Sequence, residues 1–425
     1  MRHVIIGNGP AGVTAAETIR KHRPSDDIVL IGDEPGPPYS RMAIPYLLVG
    51  DIEQAGTHLR KSAGHFDALG IKQVAGQVKS VSASRRLVGL ASGETIEFDK
   101  CLIASGSVPQ SPPIPGLDSD LVQTCWTLAD ADRIMALAKP GARVLQMGAG
   151  FIGCIILESL VRRGVKLTVV EMGDRMVPRM MGEGAGGMIR AWCEQKGVRV
   201  LVGTRVEALE AGAPLRAKLS DGSSEDFDLV IQATGVRPSI GFLADSSIKC
   251  DRGVLVDQAQ MSSAEGIYAA GDCAEAFDPA TNTRVVSAIQ PNAVEQARVA
   301  AMNMAGHPTS SRGVTQINVL DTLGLVSTSF GQWQGVDGGE RAELSDPEGF
   351  RYLCLEFKDD VLIGANSVGM TDHVGVLRNL IEGHVRLGPW KDHLLADPTR
   401  LMEAYLACAQ SQAQWQGRAR GTAKA

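Results

Sequence analysis

The opening dozen residues constrain this chain most. Val4-Ile5-Ile6 is a short apolar run that breaks into Gly7-Asn8-Gly9-Pro10-Ala11-Gly12. A helical stretch, Val13 to His22, follows, and then a second apolar run, Ile28 to Ile31, which ends in Gly32-Asp33-Glu34. Strand, glycine turn, helix, strand and acid in this order form a βαβ dinucleotide-binding unit. Gly7 permits the tight turn, Gly9 lets the backbone approach a pyrophosphate, and Gly12 brings the helix close to the strand. Pro10 and Ala11 open the helix, whose unpaired N–H groups face the phosphates. Asp33 or Glu34, about 20 residues past the last glycine, is placed to bind a ribose hydroxyl pair.

The pattern recurs. Val144-Leu145-Gln146-Met147 leads into Gly148-Ala149-Gly150-Phe151-Ile152-Gly153, then a helix to about Arg163, then the strand Lys166 to Val170 ending in Glu171. Two such units imply two nucleotide sites. A carboxylate at Glu171 accepts hydrogen bonds from a free ribose diol and repels a 2′-phosphate, which favours NADH over NADPH; Arg175 nearby works against that preference.

Between the two units, Pro37-Pro38-Tyr39-Ser40-Arg41-Met42-Ala43-Ile44-Pro45-Tyr46 suggests a rigid loop leading into a helix. Residues 70–98 suggest a small antiparallel sheet, and Cys101 to Ala104 a buried strand capped by Ser105-Gly106-Ser107. Prolines 109, 112, 113 and 115 mark a domain boundary. Further on, Leu229 to Ala233 ends in Thr234-Gly235, and Ile267 to Ala270 ends in Gly271-Asp272. An Asp after an apolar strand and before a helix is placed to reach a polyol chain while the helix N-terminus faces phosphate.

At 425 residues the chain predicts two or three domains. The net charge of −6 gives no reason to expect nucleic acid or an anionic membrane as a partner. The longest apolar stretch, Val144 to Leu157, is too short to span a bilayer. The start of the chain runs straight into a strand, so the expectation is a cytoplasmic protein without a signal peptide. The eight cysteines form no CxxC pair or ligand cluster, so neither a redox disulfide nor a metal site is expected.

With Gly7–Gly12, Ala104-Ser105-Gly106, Gly148–Gly153, Ala233-Thr234-Gly235 and Ala269-Ala270-Gly271-Asp272 together, residues 1 to about 305 resemble the two-dinucleotide flavoprotein family. That family is the pyridine nucleotide-disulfide oxidoreductase-like group, which includes disulfide reductases, NADH oxidases and ferredoxin and rubredoxin reductases. The resemblance implies an α/β fold with two Rossmann-like domains and a C-terminal α+β interface domain. It implies an FAD domain in two segments, 1–112 and 244–312, an NAD domain at 113–243, an interface domain at 313–410 and a tail at 411–425. FAD would be bound by Gly7, Gly9, Pro10, Ala11, Gly12, Asp33, Glu34, Arg41, Ser105, Gly106, Gly271, Asp272, Asn292 and Ala293. NAD would be bound by Gly148, Gly150, Phe151, Ile152, Glu171 and Gly235.

Departures from the family narrow the chemistry. Met42 stands where single-cysteine members carry their reactive thiol, and a thioether forms neither thiolate nor mixed disulfide. Tyr46 stands where ferredoxin reductases carry a lysine. Pro45-Tyr46 and Gln290 to Gln296 look closer to the FAD subunits of multi-subunit complexes such as phenylglyoxylate:NAD oxidoreductase and tungsten-dependent aldehyde oxidoreductase. The implied function is hydride exchange between NAD(H) and FAD and single-electron exchange with an iron–sulfur subunit of a hetero-oligomer. A free-standing NADH:ferredoxin or rubredoxin reductase, or an NADH oxidase, is the alternative. No acid–base residue is implied; Arg41, Tyr46 and Glu295 are candidates for tuning the flavin. His373, His384 and His393, in the last third, are expected to be structural. The tail, with Trp415, Arg418, Arg420 and Lys424 and no acid, is expected to need a partner chain to order it.

Overall fold

A computed structural model describes residues 1–408. They form two compact units. The first comprises Met1–Gln110, Trp126–Ala131 and Val236–Val314; the second comprises Ser111–Cys125, Asp132–Gly235 and the chain from Thr315 onward.

The first unit is built on a parallel sheet of five strands, in spatial order Ile267–Ala269, Lys100–Ile103, Arg2–Ile6, Asp27–Gly32 and Ile71–Ala75. Successive residues of its central strand bury into opposite cores. Val4 and Ile6 pack with Val29, Ile31, Cys101 and Ile103, whereas Ile5 packs with Ile28, Leu30 and Leu102 on the other face. Burial on both faces is why the strands read as continuous apolar runs without alternation. The chain leaves Arg2–Ile6 through a helix at Pro10–His22 toward one neighbour and returns later to the other. The glycine turn therefore lies at the point where strand order reverses, the usual ligand position of an open α/β sheet.

The second unit repeats the plan. Its parallel sheet runs Arg199–Leu201, Lys166–Val170, Arg143–Met147, Leu229–Gln232 and Val122–Gln123, again with the glycine turn after the central strand. In both units a three-stranded antiparallel meander precedes the strand that returns beside the first one: Val78–Ser82, Leu87–Leu90 and Thr95–Glu97 in one, Val206–Glu210, Leu215–Leu219 and Ser224–Phe227 in the other. Ile71–Ala75 does not join the meander expected across residues 70–98. It pairs in parallel with Asp27–Gly32, because the buried Ile71 packs under the first helix.

The last third forms a five-stranded antiparallel sheet in the order Ile317–Thr322, Leu325–Gly331, Val361–Val368, Arg351–Lys358 and Glu340–Asp346. Helices at Val374–Glu382 and Trp390–Ala396 and a helical segment at 401–408 cover it. Two of these strands, Leu325–Gly331 and Glu340–Asp346, are not marked by a continuous apolar run in the sequence. Ser327, Thr328 and Ser329 are buried within the first strand and interrupt its apolar signal. The second is an edge strand with mostly exposed side chains. Within this unit the sheet packs on the helix Glu183–Gln195: Trp192 Nε1 donates to the Thr322 carbonyl at 3.1 Å, and the Asn366 amide bridges Gly182 N–H and the Met180 carbonyl. The tail residues Trp415, Arg418, Arg420 and Lys424 lie outside the described residues. Among the described residues no helix is long and apolar enough to cross a membrane.

Candidate dinucleotide sites

The six glycines of the two turns divide into three kinds, identically in each unit. Gly7 and Gly148 have φ of +106° and +100°, and a Cβ on either would stand 2.1 and 2.4 Å from the carbonyl oxygens of Ala104 and Ala233. Gly12 and Gly153 have no room for a side chain, since a Cβ would lie 1.8 and 2.5 Å from the carbonyl oxygens of Gly7 and Gly148. These four are required by backbone and packing. Gly9 and Gly150 are required by neither. Their backbones are extended, at φ −72°, ψ −171° and φ −75°, ψ −172°, and a Cβ there would meet nothing within 4 Å. Side-chain-free space beside both middle glycines fits a pyrophosphate approached by the backbone.

The helices that follow supply donors. Pro10–His22 and Phe151–Arg162 begin at Gly9 and Gly150 with no side-chain cap, as does Gln290–Met304 at Ile289. Uncapped first-turn N–H groups at a helix start form an anion site. Phe151 and Ile152 open the second helix and are partly buried. Ala11, Gly271 and Ala293 converge in the first unit: a Cβ on Gly271 would lie 3.4 Å from that of Ala293 and 3.5 Å from that of Ala11. Small residues here bring the starts of two helices, which pack along each other, close to the Gly271 turn. Ser105 and Gly106 form the adjoining turn, with Ser105 Oγ donating to the Ser239 carbonyl at 2.7 Å. Gly106 and Gly235 have positive φ and open space at the Cβ position.

Asp272 follows its strand as expected, but no helix follows Asp272. The chain enters a hairpin, Ala274–Asp278 with Thr283–Val286, and the helix starts only at Gln290. The turn residues Pro279 to Asn282, which join two strands paired antiparallel, account for the difference. Ser107 Oγ donates to Asp272 Oδ2 at 2.6 Å, and burial raises the Asp272 pKa despite that bond and the positive charge of Arg41. The link from Gln290–Met304 to the Asp272 turn is Gln296, 2% exposed, whose Oε1 accepts the Gly271 N–H at 2.8 Å.

Glu34 is held inside the first unit. Its carboxylate accepts from Arg41 Nη2 at 2.6 Å and from the Tyr39 hydroxyl at 2.5 Å, while Asp33 is exposed. Arg41 also donates through Nη1 to the Trp126 carbonyl at 2.8 Å, and its guanidinium lies 5.0 Å from the centre of the Trp126 ring. Burial and the Glu34 bond push the Tyr39 hydroxyl pKa well up, so it stays a donor. Met42 and Tyr46 are exposed on the short helical stretch after Arg41. Asn292 donates to Ser287 Oγ at 2.7 Å, and Glu295 pairs with Arg298 on the exposed face of its helix. Tyr39, Ser107 and Gln296 lie in stretches that the sequence singles out, but their roles come from the partners they meet in space. Trp126 carries no motif signature, and its partners alone mark it.

In the second unit Glu171 Oε2 accepts the Ala149 N–H and Oε1 the Gly173 N–H, both at 2.8 Å, so the carboxylate lies beside the glycine turn. Arg175 is turned into its own loop, donating to the Met181 carbonyl at 2.8 Å and to Asp174 at 2.6 Å. The thiols are poor candidates for chemistry. Burial raises Cys101, Cys154 and Cys273, and pushes Cys193 and Cys354 to about 12. Among the eight cysteines Cys250 is the exposed one. His373, His384 and His393 are exposed in the last third.

The family model described as pyridine nucleotide-disulphide oxidoreductase matches residues 1–303. The chain is 31% identical over 407 residues to the NADH-dependent phenylglyoxylate dehydrogenase subunit epsilon of Aromatoleum evansii, covering 93% of this chain and 95% of that one. It is 32% identical to an NADH oxidase of Methanocaldococcus jannaschii, covering 78% and 77%. In fold it is similar to a chain of the crystal structure of the covalent putidaredoxin reductase–putidaredoxin complex, with a TM-score of 0.88 over 96% of this chain and 99% of that one at 22% identity.

Proposed function

Because the chain belongs to the pyridine nucleotide-disulphide oxidoreductase family, we propose that it is the NAD(H)-coupled flavoprotein subunit of a multi-subunit oxidoreductase. It is an FAD-dependent NAD(H) oxidoreductase. When bound, FAD would supply hydride exchange with NAD(H) and single-electron exchange with iron–sulfur partners, the chemistry that joins a two-electron carrier to one-electron carriers. The protein supplies binding and orientation. Gly9, Pro10, Ala11 and Gly12 receive the FAD pyrophosphate, Asp272 the ribityl chain and Asp33 the adenosine ribose, with Glu34 and Arg41 bracing that wall. Ser105, Gly106, Asn292 and Ala293 complete the flavin side. Gly148, Gly150, Phe151 and Ile152 receive NAD(H), Glu171 its ribose, and Gly235 leaves the approach open. The domain bounds that go with this reading are 1–112 with 244–312 for FAD, 113–243 for NAD(H) and 313–410 for an interface domain.

The observation that carries the reading is the pair of middle glycines. Nothing among the described residues requires glycine at position 9 or 150, so the requirement comes from a ligand at each. The choice of a complex is supported by the likeness to a named subunit over nearly the full length of both chains and by Met42 in place of a thiol. The likeness to an NADH oxidase supports the alternative of a free-standing enzyme.

Purification from the source cell, with mass spectrometry and an optical spectrum of the intact particle, separates the two. Flavin bands with broad iron–sulfur absorption and further subunits are expected. A lone yellow protein that consumes NADH with oxygen or reduces small ferredoxins would overturn the complex.

A further inference from the structure

Trp126 stands at the centre of the polar network in the first unit. Trp126–Ala131 belongs to that unit although the residues on both sides belong to the other. The turn is closed on itself: Asp130 Oδ2 accepts the N–H groups of Trp126 and Thr127 at 3.0 Å each, and Thr127 Oγ1 accepts the Asp130 N–H at 3.1 Å. That reciprocal pairing fixes where the indole starts. The indole then makes two contacts, each one step from a carboxylate. Its face takes the Arg41 guanidinium, which grips Glu34, and its Nε1–H donates at 3.1 Å to the carbonyl of Ser107, whose hydroxyl holds Asp272. A stacked guanidinium keeps all its N–H groups in plane for hydrogen bonds, so the ring orients Arg41 without competing for its donors. Arg41 Nη1 on the Trp126 carbonyl fastens the same pair a second time.

We infer that Trp126 is a positioning residue of the FAD site, coupling Glu34 and Asp272 through Arg41 and Ser107 so that both carboxylates keep the orientation FAD needs. The inference rests on the FAD reading above. A Trp side chain serving only as packing would not need both its ring face and its N–H directed at groups that hold the two acids.

The test titrates FAD-free protein with FAD and records the flavin spectrum and midpoint potential for wild type, W126F, W126A, R41A and W126A/R41A. W126A is expected to weaken FAD binding about tenfold or more, and W126F, which keeps a stacking ring but loses the N–H, about threefold with a shifted flavin spectrum. The Kd for NADH should not move. The double variant should bind FAD about threefold more weakly than R41A alone, the share of the indole N–H that acts through Ser107, because the ring face acts through Arg41. W126A within twofold of wild type, or a loss that adds in full to that of R41A, overturns the inference. Should W126A not fold, a W126F protein with wild-type affinity and spectrum overturns it equally. Wild-type protein that binds no FAD would instead overturn the preceding reading.

Discussion

A glycine whose φ and ψ suit any residue, in a place where a methyl group would touch nothing, is a residue held by something outside the chain. Gly9 and Gly150 meet that description. Gly9→Ala should leave the melting of the FAD-free protein within about 0.5 kcal/mol of wild type, yet raise the Kd for FAD by roughly tenfold or more. Gly150→Ala should do the same to NADH and spare FAD; equal affinities in both variants would remove the pyrophosphate assignment. Gly12→Ala, with its Cβ 1.8 Å from a carbonyl oxygen, should fail to fold. Asp272 offers a test in pH. Its folded pKa is raised by burial, so ionised Asp272 costs stability: the folded state is favoured below the ordinary carboxylate pKa, and the advantage is lost as pH rises through the folded value. Asp272→Asn should therefore melt higher than wild type, by about 2 °C in FAD-free protein near neutrality, with the gap closing below about pH 4. A gap that does not depend on pH would show that ionisation is not its source.

At the scale of elements, what was legible in the sequence was whatever local backbone chemistry dictates. Both βαβ units, the Cys101–Ala104 strand and the glycine turns follow from apolar runs and glycine spacing. Elements stabilised by partners distant in sequence were not legible. Leu325–Gly331 hides three buried hydroxyl residues, of which Ser327 donates to the Leu320 carbonyl and Thr328 is bonded to Ser367 at 2.7 Å, both on neighbouring strands. The hairpin after Asp272 replaces an expected helix because its two strands satisfy each other. In the site, Glu34 is visible as an acid at the end of a strand, but its engagement by Tyr39 and Arg41 is a matter of loop folding. Gln296 is the element-scale hinge pin: one buried amide joins the helix Gln290–Met304 to the Gly271 turn. Gln296→Leu strands that N–H in the interior and should cost about 1–3 kcal/mol. Thermal unfolding should show it, and a smaller loss would mean that the Gly271 N–H finds another acceptor.

For the whole molecule, the chain repeats one plan: central strand, glycine turn, helix, and a meander before the returning strand. On the proposed reading each copy holds its own nucleotide, so the two binding events should be separable. At the second copy, Glu171 accepts from Ala149 and Gly173, and Arg175 is occupied by its own loop. The native protein should accordingly prefer NADH. Glu171→Gln removes the charge and keeps one acceptor oxygen of the two that receive the Ala149 and Gly173 N–H groups, and should narrow the ratio of kcat/KM for NADH over NADPH about tenfold with no change in FAD content. An unchanged ratio would place the discrimination elsewhere.

The two glycine turns share not only a motif but a conformation, with backbone angles that differ by a few degrees. A lock cut twice to the same pattern cannot tell two keys apart, so the address of each cofactor is written in the walls: Glu34, Tyr39 and Arg41 on one side, Glu171 and its loop on the other. Exchanging Gly7–Gly12 with Gly148–Gly153 should therefore leave each cofactor in its own half of the protein.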